Sequence, residues 1–252
     1  MSRTPIAFLI LLAAAPQEAK KPAPDPKPRV SMALPLAISP GAVAKVTLRG
    51  LNLDQASDVR FAAPLPDATI ALKSKGKAEL PKETDPQVYG DTRAELEIQL
   101  PADFAADKVG LVAVNSQGEA AYELKVVAKS RLVLEVEPNG SFATAQPVEA
   151  GQTIQGTIGQ AMDVDVFKIV GKKGERWTAE VEAQRRGSVL DPLLTIYDAA
   201  GHIVATADDS ETSRDPLLKV ALPKDGTYLI ALIDAHNSGG PTHPYLLNLR
   251  RD

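Results

Sequence analysis

The sequence predicts an all-β protein made of two tandem antiparallel β-sandwiches, and three observations lead there. Short segments alternate apolar and polar residues with a period of two, the signature of strands buried on one face. Twenty prolines and 17 glycines punctuate those segments, and long helix-period runs are few. The chain has 252 residues, enough for two folding units, since such units cluster at roughly 100 to 150 residues.

The elements follow in chain order. "MSRTPIAFLILLAAAPQEAKK" places Arg3 before an apolar run from Ile6 to Leu12 and then small residues, the order of a secretory signal, expected over residues 1–15. The run is too short to span a bilayer, which takes about 20 apolar residues, so no membrane span is expected there. Ala13-x-Ala15 is the obvious cleavage pattern, although Pro16 directly after it disfavours a cut at that point. Residues 16–30, "PQEAKKPAPDPKPRV", are proline-rich without an apolar period and read as an extended, solvated linker.

Residues 31–128 form the first expected sandwich. In "TRAELEIQL", Ala94, Leu96, Ile98 and Leu100 share one face, while Arg93, Glu95, Glu97 and Gln99 share the other. "AKVTLRGLNL" and "AYELKVV" repeat the pattern, and "SQGE" between "VGLVAVN" and "AAYELKVV" reads as a hairpin turn. "LKSKGKAELPKETDPQVYGD" interrupts it with charges and two prolines and is expected to be a loop or a ragged edge. The stretch "ISPGAVAKVTLRGLNLDQASDVRF" resembles the opening of an immunoglobulin-like domain of the IPT/TIG kind. That resemblance implies a spacer or adhesion module.

Residues 129–252 form the second. "RWTAEVEA" sets Trp177, Ala179 and Val181 on a buried face, and "PLLTIYD", "IVATA", "LLKVAL", "YLIALIDA" and "YLLNL" are strands separated by Gly-, Asp- and Pro-rich turns. Taken together, "EVEPNGSFATAQPV", "GTIGQAMDVDVFKI", "DPLLTIYDAAGHIVATADD" and "KDGTYLIALIDA" resemble the bacterial pre-peptidase C-terminal domain. The resemblance runs from about Leu134 to Leu249 and implies a jelly-roll-like sandwich of the kind attached to secreted peptidases and other exported proteins. It is also similar to the collagen-binding modules of clostridial collagenases.

One constellation carries chemistry. In an extended chain Glu135 and Glu137 point the same way, roughly 7 Å apart, and Asp163 and Asp165 repeat that spacing. Four carboxylates brought side by side repel unless protons shift or a cation sits among them. Calcium takes 6 to 8 oxygens at about 2.3 to 2.6 Å. By resemblance to calcium-binding collagenase modules, Glu135, Glu137, Asn139, Asp163 and Asp165 stand at the ligand positions of a Glu-x-Glu-Pro-Asn motif and a downstream Asp-x-Asp. Gly140 stands where that family often has Asp or Asn, and Val166 where it has an aromatic residue. The residues alone are equally compatible with a solvated Glu-Pro-Asn-Gly turn capped by Asn139 or Ser141.

The remaining candidates are weaker. Asp208, Asp209, Glu211 and Asp215 lack EF-hand spacing and read as a solvated loop. His236 and His243 with Asp234 would need a converging third or fourth ligand to hold zinc. Neither G-x-S-x-G nor H-E-x-x-H occurs. Cysteine is absent, which excludes disulfides, thiolate metal sites and cysteine nucleophiles. The 28 basic and 32 acidic residues are interspersed and sum to −4, which offers nucleic acid no cationic face. The expectation is therefore a secreted, periplasmic or cell-surface protein that is not an enzyme and binds an extracellular polymer or protein, with structural calcium at the junction between its sandwiches. The alternative is an accessory or inhibitory partner of a separately encoded secreted peptidase. The collagen-binding modules carry a tyrosine-rich surface; only Tyr228 and Tyr245 lie in comparable segments here, and collagen binding is not expected.

Overall fold

The computed structural model describes residues 25–80 and 84–252, so the expected signal and most of the proline-rich linker lie outside the described residues. The all-β expectation holds. In the N-terminal half, β1 (Arg29–Leu34), β3 (Val43–Leu51), β6 (Thr92–Gln99) and β5 (Thr69–Lys77) form one sheet in that order. A second sheet runs β2 (Ala37–Ile38), β8 (Gly118–Val126), β7 (Lys108–Asn115) and β4 (Asp58–Phe61). Residues 25–28, expected as solvated linker, lie against this half. The Asn52 side chain donates to the carbonyls of Asp25 and Lys27 at 2.9 and 2.8 Å, and that of Asn115 to Pro26 at 3.1 Å.

The period-two reading of β6 fits its burial, with Ala94, Leu96 and Ile98 inside beside Val46 and Leu48 of β3 and Leu111 and Leu124 from the facing sheet. Each such side chain contributes about 1.5–3 kcal/mol by leaving water. The charged stretch after Ile70 begins as strand and includes a helical turn at Pro86–Tyr89, and its residues 81–83 lie outside the described residues. Through Lys77 it is the edge strand β5, paired with β6, and its lysines leave the outer edge unattractive to another strand.

The C-terminal half repeats the plan on a larger scale. One sheet runs β10 (Gln146–Pro147), β12 (Val164–Gly171), β17 (Gly226–Asp234), β14 (Pro192–Asp198) and β15 (Ile203–Ala207). The other runs β16 (Leu217–Ala221), β13 (Arg176–Glu182), β18 (Pro244–Arg251), β11 (Thr153–Thr157) and β9 (Leu132–Leu134). Pairing is antiparallel except for the short strands β2, β9 and β10, which pair in parallel with β8, β11 and β12. Phe167 and Ile169 of β12 and Ile230 and Leu232 of β17 meet Trp177, Val181, Leu247 and Leu249 from the opposite sheet. Tyr228 and Tyr245 are both 0% exposed, so neither belongs to a surface of the collagen-binding type.

A separate apolar cluster closes the junction. Met32, Leu36, Ala37 and Val127 pack on Leu246, which projects from the outer face of β18, with Leu34 and Leu132 at the margin. The Ala37 N–H donates to Gln155 Oε1 at 2.8 Å, and Lys125 of the first half meets buried Glu182 of the second at 2.5 Å. Burial alone would raise the Glu182 pKa, but hydrogen bonding to Lys125 and the charges of Arg186 and Lys125 outweigh it and hold the carboxyl at about 2. Gly187 completes the contact. It sits at φ 90°, and a Cβ there would stand 2.1 Å from the Ser31 carbonyl oxygen. Gly187→Ala is therefore expected to cost about 1–3 kcal/mol of unfolding free energy in denaturant titrations. A loss below about 0.5 kcal/mol, the scale of an ordinary surface change, would mean that the two halves do not depend on this close approach.

Candidate metal centre

The strand period that builds the core also buries a carboxylate. Phe167 and Ile169 of β12 face inward, so Asp165, two residues earlier on the same face, faces inward too, at the end of the apolar core. It is 0% exposed. Across the sandwich, β18 presents Tyr245 to the same core, and the Tyr245 hydroxyl donates to Asp165 Oδ2 at 2.7 Å. The pair ties the two sheets together where the apolar side chains end.

The segment after β9 supplies the other acids. Leu134 and Val136 are exposed, and Glu135 between them turns inward. Its carboxylate accepts from Asn139 Nδ2 at 2.9 Å and from the Thr157 N–H at 2.8 Å, and lies 3.4 Å from the Tyr245 hydroxyl oxygen. Gly156 makes this possible, because a Cβ there would stand 2.4 Å from the Tyr245 hydroxyl oxygen and 2.7 Å from Glu135 Oε2. Glu137 is exposed, and its Oε2 accepts the Asn139 N–H at 2.8 Å. Asn139 is 0% exposed, and its carbonyl accepts from Ser141 N at 2.9 Å and Val166 N at 3.2 Å, which pins the segment over β12.

Carboxylate oxygens of Glu135, Glu137 and Asp165 lie within 4.8 Å of one another. Two oxygens on opposite sides of a calcium ion, each at about 2.4 Å, stand about 4.8 Å apart, so the spacing suits that ion. Two buried oxygens, Asp165 Oδ1 and Asn139 Oδ1, have no hydrogen-bond partner among the described residues. Orphaned acceptors at full burial are rare and costly, and a cation is the group that would satisfy both. The donor set is all oxygen, which matches a hard cation rather than zinc or copper.

Of the five residues expected from the sequence, four gather here: Glu135, Glu137, Asn139 and Asp165. Asp163 is not among the three converging carboxylates, although its charge also raises the Asp165 pKa. It precedes β12 and spends its carboxylate on the N–H groups of Gly159, at 2.7 Å, and Val164, at 3.0 Å, closing the turn into the strand. All of these residues belong to the C-terminal half; the junction between the halves is closed by the Leu246 cluster instead. Tyr245 and Gly156 are the members that sequence reasoning missed. Tyr245 alternates with Leu247 and Leu249 and reads as core, which it also is; only its pairing opposite Gly156 reveals the polar end.

The other acidic and imidazole candidates are structural. Asp215 is buried and accepts from Gln184 N at 2.7 Å and Arg185 N at 3.2 Å, fixing the 3-10 turn at Gln184–Arg186. Asp234 accepts the N–H groups of Asp191, His236 and Ser238 at 3.0, 3.0 and 2.8 Å and so organises its loop rather than a metal.

With no cation among these acids, Asp165 is pushed up to about 9, first by burial and then by the hydrogen bond and charge of Glu135. Its pKa in the folded state thus exceeds the unfolded value of 3.8, and the folded protein binds the extra proton between those limits. In chelator, stability is therefore expected to be greatest at acid pH and to fall as pH rises from about 4 to about 9. Asp165→Asn should flatten that slope in thermal melts taken across the range. An unchanged slope would show that Asp165 is not the group responsible.

No protein-family model matches this chain, and no curated protein sequence matches it. Among solved structures it is similar to the pre-peptidase C-terminal domain of a collagenase from Bacillus anthracis, at 14% identity over 42% of this chain and 94% of that one, with a TM-score of 0.34. PliG, a periplasmic inhibitor of g-type lysozyme from Aeromonas hydrophila, is 17% identical over 48% of this chain and 98% of its own, with a TM-score of 0.35. SGBP-B of a Bacteroides ovatus mixed-linkage glucan utilization locus is 11% identical over 90% of this chain and 74% of its own, with a TM-score of 0.29. Similarity at this level carries no functional argument.

Proposed function

We propose that this is an exported, non-catalytic binding protein. Its two sandwiches, over residues 31–128 and 129–252, present a recognition surface for an extracellular polymer or protein. On this reading the first is a spacer of the IPT/TIG kind and the second a pre-peptidase C-terminal sandwich with structural calcium at Glu135, Glu137, Asn139 and Asp165.

The observation that carries the reading is the pair of orphaned buried oxygens on Asn139 and Asp165 beside two further carboxylates. Such a group is built as a ligand cage. Asp165 is sealed from water and held by Tyr245, so it has no access to a substrate proton, and the polar atoms around it fix its position. Calcium there would supply the counter-charge and hold residues 135–139 against β12 and β18. Ordering that segment would stiffen the sandwich that presents the ligand surface and lower the entropic cost of recognition.

Calorimetric titration of calcium into the chelator-stripped protein tests this. Saturable binding is expected, with a rise in thermal midpoint that grows with calcium, because an ion that binds only the folded state stabilises it by about 2.7 kcal/mol at a hundred times its Kd. Glu137→Ala, at an exposed position, should keep the fold and weaken calcium by about tenfold or more. Parallel pull-downs on a panel of polysaccharides and matrix proteins, with product analysis, should show retention of at least one polymer without cleavage. No heat from the wild type removes the calcium assignment. Turnover of a retained polymer removes the non-catalytic one.

A further inference from the structure

Two grooves open between the sandwiches and meet at Gly239. The first, about 390 Å³, has Leu34, Thr47, Arg49 and Arg93 on one wall and the loop through Pro241 and Thr242 on the other. The second, about 470 Å³, continues past Tyr89, Asn237 and Ser238. These volumes fall in the range of small-ligand sites.

Arg49 is the unusual group. It is only 8% exposed, yet among the described residues no carboxylate lies within ion-pair distance of it. Its Nε donates to the Gly90 carbonyl at 3.2 Å and its Nη2 to the Glu79 carbonyl, and the Nη1 edge has no protein partner among the described residues. Burial lowers its pKa, with Asp91 opposing, but a guanidinium stays charged. Of the carboxylates nearby, Glu79 lines the groove at an exposed position and offers Arg49 only its carbonyl, and two others are engaged elsewhere. Glu95 takes Arg93 at 3.2 Å and Ser74 at 2.6 Å, and Asp91 takes Lys77 at 3.5 Å. Among the described residues only the charge of Asp91 opposes the burial of Arg49, and a buried cation balanced so weakly gains from an incoming anion.

We propose that the groove seats an acidic saccharide, its carboxylate on the Arg49 edge with Arg93 beside it and its C–H face against Leu34, Leu80 and Pro241. A planar carboxylate matches a guanidinium edge in bidentate fashion. Thr47, Arg49 and Arg93 lie on β3 and β6, each paired on both sides, which leaves a peptide backbone no free ladder along those two strands. The lining instead offers the hydroxyl and amide groups of Thr47, Ser238 and Asn237, the chemistry that sugar hydroxyls use. This assignment rests on the binding-protein reading above and names its ligand class.

The test is calorimetry with trigalacturonate, run in EDTA so that a carboxylate bridged through the metal centre cannot mimic the result. Saturable binding is expected, weakened about tenfold or more when the probe is methyl-esterified and by a similar factor in Arg49→Lys, where the fork geometry is lost. Arg93→Ala, at an exposed position, should weaken it severalfold without changing the melt, which keeps the test decisive if Arg49→Lys fails to fold. A tri-glutamate peptide should bind far more weakly. Equal affinity for the ester, indifference to both variants or tighter binding of the peptide would each overturn the proposal. No binding of trigalacturonate overturns it too. If another polymer is then retained, the binding-protein reading survives; if none is, both fall together.

Discussion

Asp165 is sealed at the end of an apolar core with the carboxylates of Glu135 and Glu137 beside it, and a charge so buried next to two others is costly. At about 4 Å and an effective dielectric near 20, each pair of unit charges repels by roughly 4 kcal/mol. That is comparable with the whole stability of a domain, about 5–15 kcal/mol. The sandwich cannot carry such a sum uncompensated, so a proton or a cation must occupy the cluster. Burial and Glu135 push Asp165 far enough that the proton wins when no ion is present. The proton is an incomplete answer, because it satisfies one oxygen, while Asn139 Oδ1 and Asp165 Oδ1 both stand without partners.

The local architecture follows from that constraint. Asp165 is inward because β12 alternates, and it is tolerated because Tyr245 reaches it from the opposite sheet. Tyr245 fits because its partner in the ladder is Gly156, whose missing side chain also admits Glu135. Glu135 is turned inward by the chain leaving β9, and Asn139 locks that course by bonding Glu135 through its side chain and Val166 through its carbonyl. Removing any one of these leaves a buried polar atom of its neighbour unsatisfied, so they act as a unit rather than as separate contacts.

Periodicity made the strands legible: β6, β13 and β14 fall where alternation placed them because each has one face in the core. The junction was not legible, since Leu246 lies on the outer face of its strand and only the docking of Met32 and Leu36 explains an apolar residue there. In the acidic cluster, Glu135, Glu137, Asn139 and Asp165 could be named from spacing and resemblance. Asp163 carried the same spacing signal, but a turn intervenes before β12 and its carboxylate serves that turn. Spacing reports geometry only while the chain remains extended. Tyr245 and Gly156 gave no signal because their role exists only in the pairing of two strands nearly ninety positions apart, which a single sequence does not reveal.

The acidic cluster and the grooves are joined by backbone rather than by side chains. The turn before β12 is stitched to the loop between β17 and β18 by Met162 N to Asn237 O at 3.1 Å, Gly240 N to Ile158 O at 2.8 Å and Ile158 N to His243 O at 3.2 Å. Gly239 permits this, since a Cβ there would stand 2.0 Å from the Gln160 carbonyl oxygen. Whatever fixes Asp165 therefore fixes the strand start from which the groove's loop is hung. The Leu246 cluster sets the opposite wall by holding β1 and its neighbours against β18. The grooves thus lie between two independently anchored walls, one fixed by apolar packing and one by the polar end of a core. Rigid walls of this kind favour recognition of a ligand that brings its own charge to Arg49, because little of the binding energy is spent on ordering the site.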